Sequence, residues 1–180
     1  VAIASLVQYS TVLRDRLLDL GFTEDTTEGA PLCRWLVAGV KVDIMPTGAN
    51  VLGFKNHWFG LALRHAVEHP LDGGPTIRVV TAPFFLAMKL EAFDDRGHGD
   101  YQASHDIEDI VAVLDGRAGL EAEVAAAPLE LQRYLAAKIT ALLDSADPRE
   151  TLSGHLPGDA ASQVRVSDLL RRLRTLAGRA

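Results

Sequence analysis

Residues 89–117 read KLEAFDDRGHGDYQASHDIEDIVAVLDGR, and residues 41–47 read KVDIMPT; these two stretches decide how the rest of the chain is organised. Lys89 falls in a helix expected over Ala82–Phe93, where Phe84, Phe85, Leu86, Met88, Leu90 and Phe93 leave almost no polar side. A helix that is apolar all round is buried. Thr81 stands at its N-cap, and Pro83 lies in the first turn, where a missing N–H costs nothing. Lys89 therefore either snorkels to water or meets an anion. After the loop Asp94–Gln102, with Gly97 and Gly99, Ser104 opens a helix over His105–Leu114. Its buried stripe is Ile107, Ile110, Val111 and Leu114. Asp106 and Asp109 lie three apart and share a face, while Glu108 points elsewhere. The helix dipole alone gives Asp106 a structural reason to be there. An ion pair with Lys89 would be a functional one.

The second stretch belongs to a hairpin. Leu32–Val37 and Val40–Met45 are short β-rich runs separated by Ala38-Gly39. Val40, Val42 and Ile44 share one face; Lys41, Asp43 and Met45 share the other. Aspartate is disfavoured mid-strand. Asp43 thus marks either a solvated outer face or a carboxylate aimed into a cleft. Thr76–Val80 follows the turn Pro70–Pro75 as a third strand. The fold expected is α+β: a small mixed sheet of these three strands packed by helices, then a helical C-terminal part. Residues 1–115 form the core and 116–180 the helical region.

The flanking segments follow the same rules. Leu6–Leu20 has helical periodicity with Ser5 as a cap, and Gly21 stands where a left-handed residue ends it. A loop over 46–55 leads to Asn56, the cap of a helix expected over His57–His69. His57, His65 and His69 lack the glutamate of a metalloprotease motif and are expected as surface or packed histidines. Ala, Leu and Glu dominate Leu120–Ala127, and Pro128 opens a long helix to Leu143. After a connector over Asp144–Gly158, Asp159 caps a last helix over Ala160–Leu176. Arg165, Arg171, Arg172 and Arg174 gather there, as a solvated face or as a face for RNA or a partner.

Composition narrows the class. The chain has 180 residues, 48% apolar and 23% charged, enough for a sizeable core. A net charge of −6 opposes general attraction to nucleic acid. The lone Cys33 fits a reducing compartment, and no apolar run reaches the ~18–20 residues of a membrane span. The expected location is cytoplasmic, with no membrane partner. The sequence has no phosphate loop, Rossmann fingerprint, zinc-spaced Cys/His set or GxSxG elbow.

Nucleotidyl transfer needs carboxylates that hold Mg²⁺ and a cation for the triphosphate. Asp43, Asp106, Asp109 and Lys89 are of the right types. CRWLVAGVKVDIMPT, residues 33–47, resembles the strand pair of nucleotidyltransferases of the AbiEii toxin family that ends in a metal-site aspartate. IRVVTAPFFLAMKLEAFDDRG with HDIEDIVAVL resembles that family's later block, a lysine-bearing helix followed by an RD-x-x-D-like helix. The resemblance covers Val1–Arg117. It implies that Asp43 holds metal, that Lys89 contacts the nucleotide, and that Asp106 and Asp109 are the acids of the later motif, with His105 in place of the basic residue. It further implies Mg²⁺, an NTP, an RNA (tRNA) or protein acceptor, and a toxin paired with an antitoxin protein or serving phage defence. The family's Gly-Ser turn and Asp-x-Asp strand have no match. In family order they precede Val1, which makes the core N-terminally incomplete, exposes a sheet edge and predicts self-association. The alternative implied is a non-catalytic module of this fold that binds a nucleotide or a partner protein.

Overall fold

The computed structural model describes residues 9–45, 56–97, 99–145 and 147–179. The chain divides into two compact units, Val1–Gly60 and Leu61–Ala180. The Ser5 cap, the first turn from Leu6 and the loop over 46–55 lie outside the described residues.

In the first unit a π-helical turn, Tyr9–Leu13, runs into α1, Arg14–Asp19. Gly21 takes a φ of +81°, ending the helix as its position predicts. A three-stranded antiparallel sheet follows: β1 (Thr23–Glu24), β2 (Arg34–Val37) and β3 (Val40–Asp43), in that order. Ala38 and Gly39 both have positive φ, 49° and 80°, as a two-residue primed turn demands. Register pairs Trp35 with Val42 and Arg34 with Asp43. Trp35 and Cys33 are buried, each 2% exposed, and Leu13, Ile44 and Met45 pack against Cys33. The odd-numbered face of β3, which carries Asp43, is the open one.

The expected helix over His57–His69 is shorter. Asn56 caps it through Oδ1, which accepts from the Trp58 N–H at 3.1 Å, but α2 runs only over Trp58–Arg64. Residues Val67–Pro70 form β4 instead, paired antiparallel with β5, Thr76–Val79. The cause lies further along the chain. Arg78 of β5 donates to the carbonyls of Leu63 and Ala66, at 2.9 and 3.1 Å, and satisfies the helix end before it can continue. The single mixed sheet is also corrected. Among the described residues there are two sheets, both antiparallel, and β5 joins β4 rather than the β2–β3 hairpin. The coarse class stands: the chain is mixed α and β.

Helices dominate the second unit. They are α3 (Ala82–Arg96), α4 (His105–Gly116), α5 (Leu120–Ala125), α6 (Leu129–Leu143), α7 (Pro148–Gly154), α8 (Ala160–Val164) and α9 (Val166–Leu176). Helix α3 buries Phe84, Leu86, Ala87, Leu90 and Phe93 against α4, α5 and α6. Each large apolar side chain so buried contributes about 1.5–3 kcal/mol. Gly97 ends α3 for a steric reason, since a Cβ there would stand 2.3 Å from the Phe93 ring and 2.6 Å from its carbonyl oxygen. Asp159 caps α8 by accepting from the Ser162 N–H at 3.0 Å. The last helix, expected as one piece, is interrupted at Arg165. Its N–H bonds Ser162 O three residues back and tightens the turn. No helix among the described residues is long and apolar enough to cross a membrane.

Candidate functional site

Helices α3 and α4 pack side by side and bring Lys89, Asp106 and Asp109 together. Lys89 Nζ donates to Asp106 Oδ1 at 3.2 Å and forms a closer ion pair with Asp109 Oδ2. Its Nζ also lies 5.8 Å from the centre of the Phe85 ring, within cation–π range. The lysine on the apolar helix thus meets carboxylates. It is also one-quarter exposed, so both fates allowed by the sequence operate together.

The two aspartates play different parts. The Asp106 side chain is 4% exposed, whereas that of Asp109 is 47% exposed. Arg96 closes over Asp106 as a fork, Nε to Oδ2 at 2.9 Å and Nη2 to Oδ1 at 2.8 Å. Burial pushes the Asp106 carboxyl up, but Arg96 and Lys89 together outweigh it and hold the group below the ordinary carboxylate range. Asp106 is therefore an ionised anchor held by two cations. Asp109, the other partner of Lys89, lies at the surface.

Arg96 is the residue that sequence reasoning missed. It lies seven positions after Lys89, two helical turns along the same stripe, so the spacing carried the signal. Its side chain is 61% exposed, and it lines an open cleft of about 450 Å³ with Gly97, Asp100, Ser104, His105 and Asp106. Lys89 is not among the residues that line this cleft. At the cleft wall Ser104 takes the N-cap position of α4 in extended backbone, without a side-chain cap hydrogen bond. Asp100 Oδ1 accepts from the N–H groups of Gln102 and Ala103, at 3.0 Å each, and fixes the loop. His105 pairs with Glu108 at 2.9 Å and stands in solvent.

Asp43 belongs to the first unit. Both its oxygens accept from its cross-strand neighbour Arg34, at 2.7 and 2.9 Å. That guanidinium holds the carboxyl below its usual range. The Mg²⁺ implied by the resemblance needs oxygen donors that are not already neutralised. Asp43, as placed, does not fit that need, because Arg34 occupies both oxygens. Asp106 does not fit it either, with two cations on its carboxylate. Among the described residues no group of three or more His, Cys, Asp or Glu side chains is placed to hold a metal ion.

Three of the four C-terminal arginines are held in ion pairs with acids. Arg165 forks onto Asp115 at 2.9 and 3.0 Å, Arg171 pairs with Asp168, and Arg172 forks onto Glu121 at 2.7 and 3.0 Å. With their charge matched by acids, these three give a nucleic-acid backbone little reason to bind. No family model matches the chain, and no curated protein or solved structure matches it.

Proposed function

We propose that this chain is a nucleotidyltransferase-like module of the AbiEii type, in which Lys89 receives the polyphosphate of an NTP. One observation carries the reading: a lysine on an otherwise apolar helix is held between two aspartates of the next helix, one fixed and one exchangeable. An incoming phosphate would take the place of Asp109 on Lys89, while Asp106 keeps the ammonium positioned and Arg96 keeps Asp106 ionised. The exchange trades one anion for another and leaves no buried charge uncompensated. On this reading the intact protein moves a nucleotide onto an RNA end or a protein hydroxyl in the cytoplasm, as the toxin of a toxin–antitoxin or phage-defence pair.

A second reading is favoured by the Arg34 fork on Asp43, which occupies the one strand carboxylate assigned to Mg²⁺. In that reading the module binds NTP or a partner protein and transfers nothing. The chain is titrated with a fluorescent NTP, with and without Mg²⁺, and then incubated with α-labelled NTP and total RNA. Binding weakened at least tenfold by Lys89→Ala, in a variant that keeps its circular-dichroism spectrum, supports the site. Label on RNA or protein selects transfer, and binding without label selects the non-catalytic module. Absence of NTP binding, or binding indifferent to Lys89→Ala, overturns the transferase reading and the nucleotide-binding form of the second.

A further inference from the structure

We infer that Arg172 is a positioning residue for α4: it holds the C-terminal end of the helix whose other half presents Asp106 and Asp109 to Lys89. Arg172 is 9% exposed, and a buried guanidinium is tolerated only where its donors are satisfied. Nε and Nη2 fork onto Glu121 of α5, Nη2 also donates to the carbonyl of Arg117 at 2.8 Å, and Nη1 donates to the carbonyl of Leu114. Leu114 O belongs to the last turn of α4, where helical carbonyls lack intrahelical partners and the dipole favours a cation. Seven residues earlier in the chain, Arg165 forks onto Asp115 of the same helix. Two arginines from the C-terminal helices therefore grip one end of α4, while Lys89 and Arg96 of α3 grip the other.

Leu114 and Asp106 are eight residues apart, about 12 Å along a helix axis. A rigid helix carries a displacement at one end to the other. An ångström of play at Leu114 would open the 2.8–2.9 Å fork on Asp106 and release the pair on Lys89. The inference rests on this geometry. Only its significance for ligand binding rests on the nucleotide reading.

The chain has four lysines, which makes reductive ¹³C-methylation a resolved probe. A dimethylated lysine locked in an ion pair gives two inequivalent methyl signals; a free one gives a single signal. Lys138, paired with Asp94 across α6 and α3, is the internal control because α4 takes no part in it. In Arg172→Met the two Lys89 signals should merge while the Lys138 signals keep their splitting. Glu121→Gln, which leaves the arginine on Leu114 O, should narrow the Lys89 splitting without abolishing it, and it serves if the first variant does not fold. Unchanged Lys89 signals in the folded variants overturn the inference. So does joint collapse of Lys89 and Lys138, which would mean general loosening. Adding ATP to the unsubstituted protein is a separate arm: a Lys89 signal indifferent to ATP counts against the nucleotide reading and leaves the positioning role of Arg172 standing.

Discussion

Asp43 and Asp106 make nearly the same interaction in different surroundings. Each accepts an arginine fork through both oxygens, at 2.7 and 2.9 Å for Asp43 and 2.9 and 2.8 Å for Asp106. The side chain of the first is 41% exposed and that of the second 4%. Asp43 lies on the open face of a hairpin, while Asp106 is wedged between two packed helices with a second cation on it. Distance does not separate them. Access of water does, because an exposed pair is screened and a buried one is not.

The largest effect expected from this contrast is at Asp106. Asp106→Ala removes the buried carboxylate shared by Lys89 and Arg96, and should cost about 3 kcal/mol of unfolding free energy in urea titration, at the low end for a buried pair because Arg96 reaches water. A loss below ~1 kcal/mol would put Asp106 in the same class as Asp43. The pH dependence sharpens the point. The folded-state pKa of Asp106 lies below the ordinary carboxylate value, so its contribution is present above that value and is lost as pH falls through the lower, folded one. Wild type and Asp106→Asn should therefore differ most near neutrality and converge as pH falls through the lowered folded-state value.

Gly97, which follows Arg96 at the end of α3, comes next. Gly97→Ala drives a methyl into the Phe93 ring and, through its carbonyl oxygen, into backbone that cannot move aside. Overpacking of this kind costs about 1–3 kcal/mol. Thermal unfolding of Gly97→Ala should fall by several degrees, and an unchanged midpoint would mean that the α3 end adapts freely.

Legibility followed the same divide between local and distant causes. The apolar surround of α3, the stripe of α4, the Asn56 and Asp159 caps and the Ala38-Gly39 turn are all encoded within a few residues, and each stands where periodicity and turn chemistry place it. The β4 strand was not legible. Val67–Pro70 continues a helical pattern well enough, and only pairing with Thr76–Val79 and the grip of Arg78 on the α2 carbonyls divert it. At the site, residue types and spacing suggest that Lys89 faces Asp106 and Asp109, but not that Asp106 is buried and Asp109 exposed. That division depends on depth, which spacing does not encode. Arg96 was readable in principle, two turns from Lys89, yet an arginine beside two aspartates and a glycine resembles a loop. Arg165 and Arg172 read as part of a surface patch because their acidic partners sit about fifty residues earlier.

The smallest effects belong to the hairpin, and they decide whether its ion pair or its turn sets the register. Ala38 holds a φ of 49°, a conformation that alanine adopts at a cost and that asparagine tolerates. Ala38→Asn should stabilise the chain by about 0.5–1 kcal/mol, because Asn-Gly is the preferred pair for this turn. Asp43→Ala should cost about 0.5 kcal/mol or less at moderate salt, the range of an exposed pair. If the turn substitution outweighs the loss of the carboxylate, the hairpin is fixed by backbone conformation, and the Arg34–Asp43 pair is free to break when something else competes for Asp43. If Asp43→Ala instead costs more than ~1.5 kcal/mol, the pair is structural. The register then rests on the ion pair as much as on the turn.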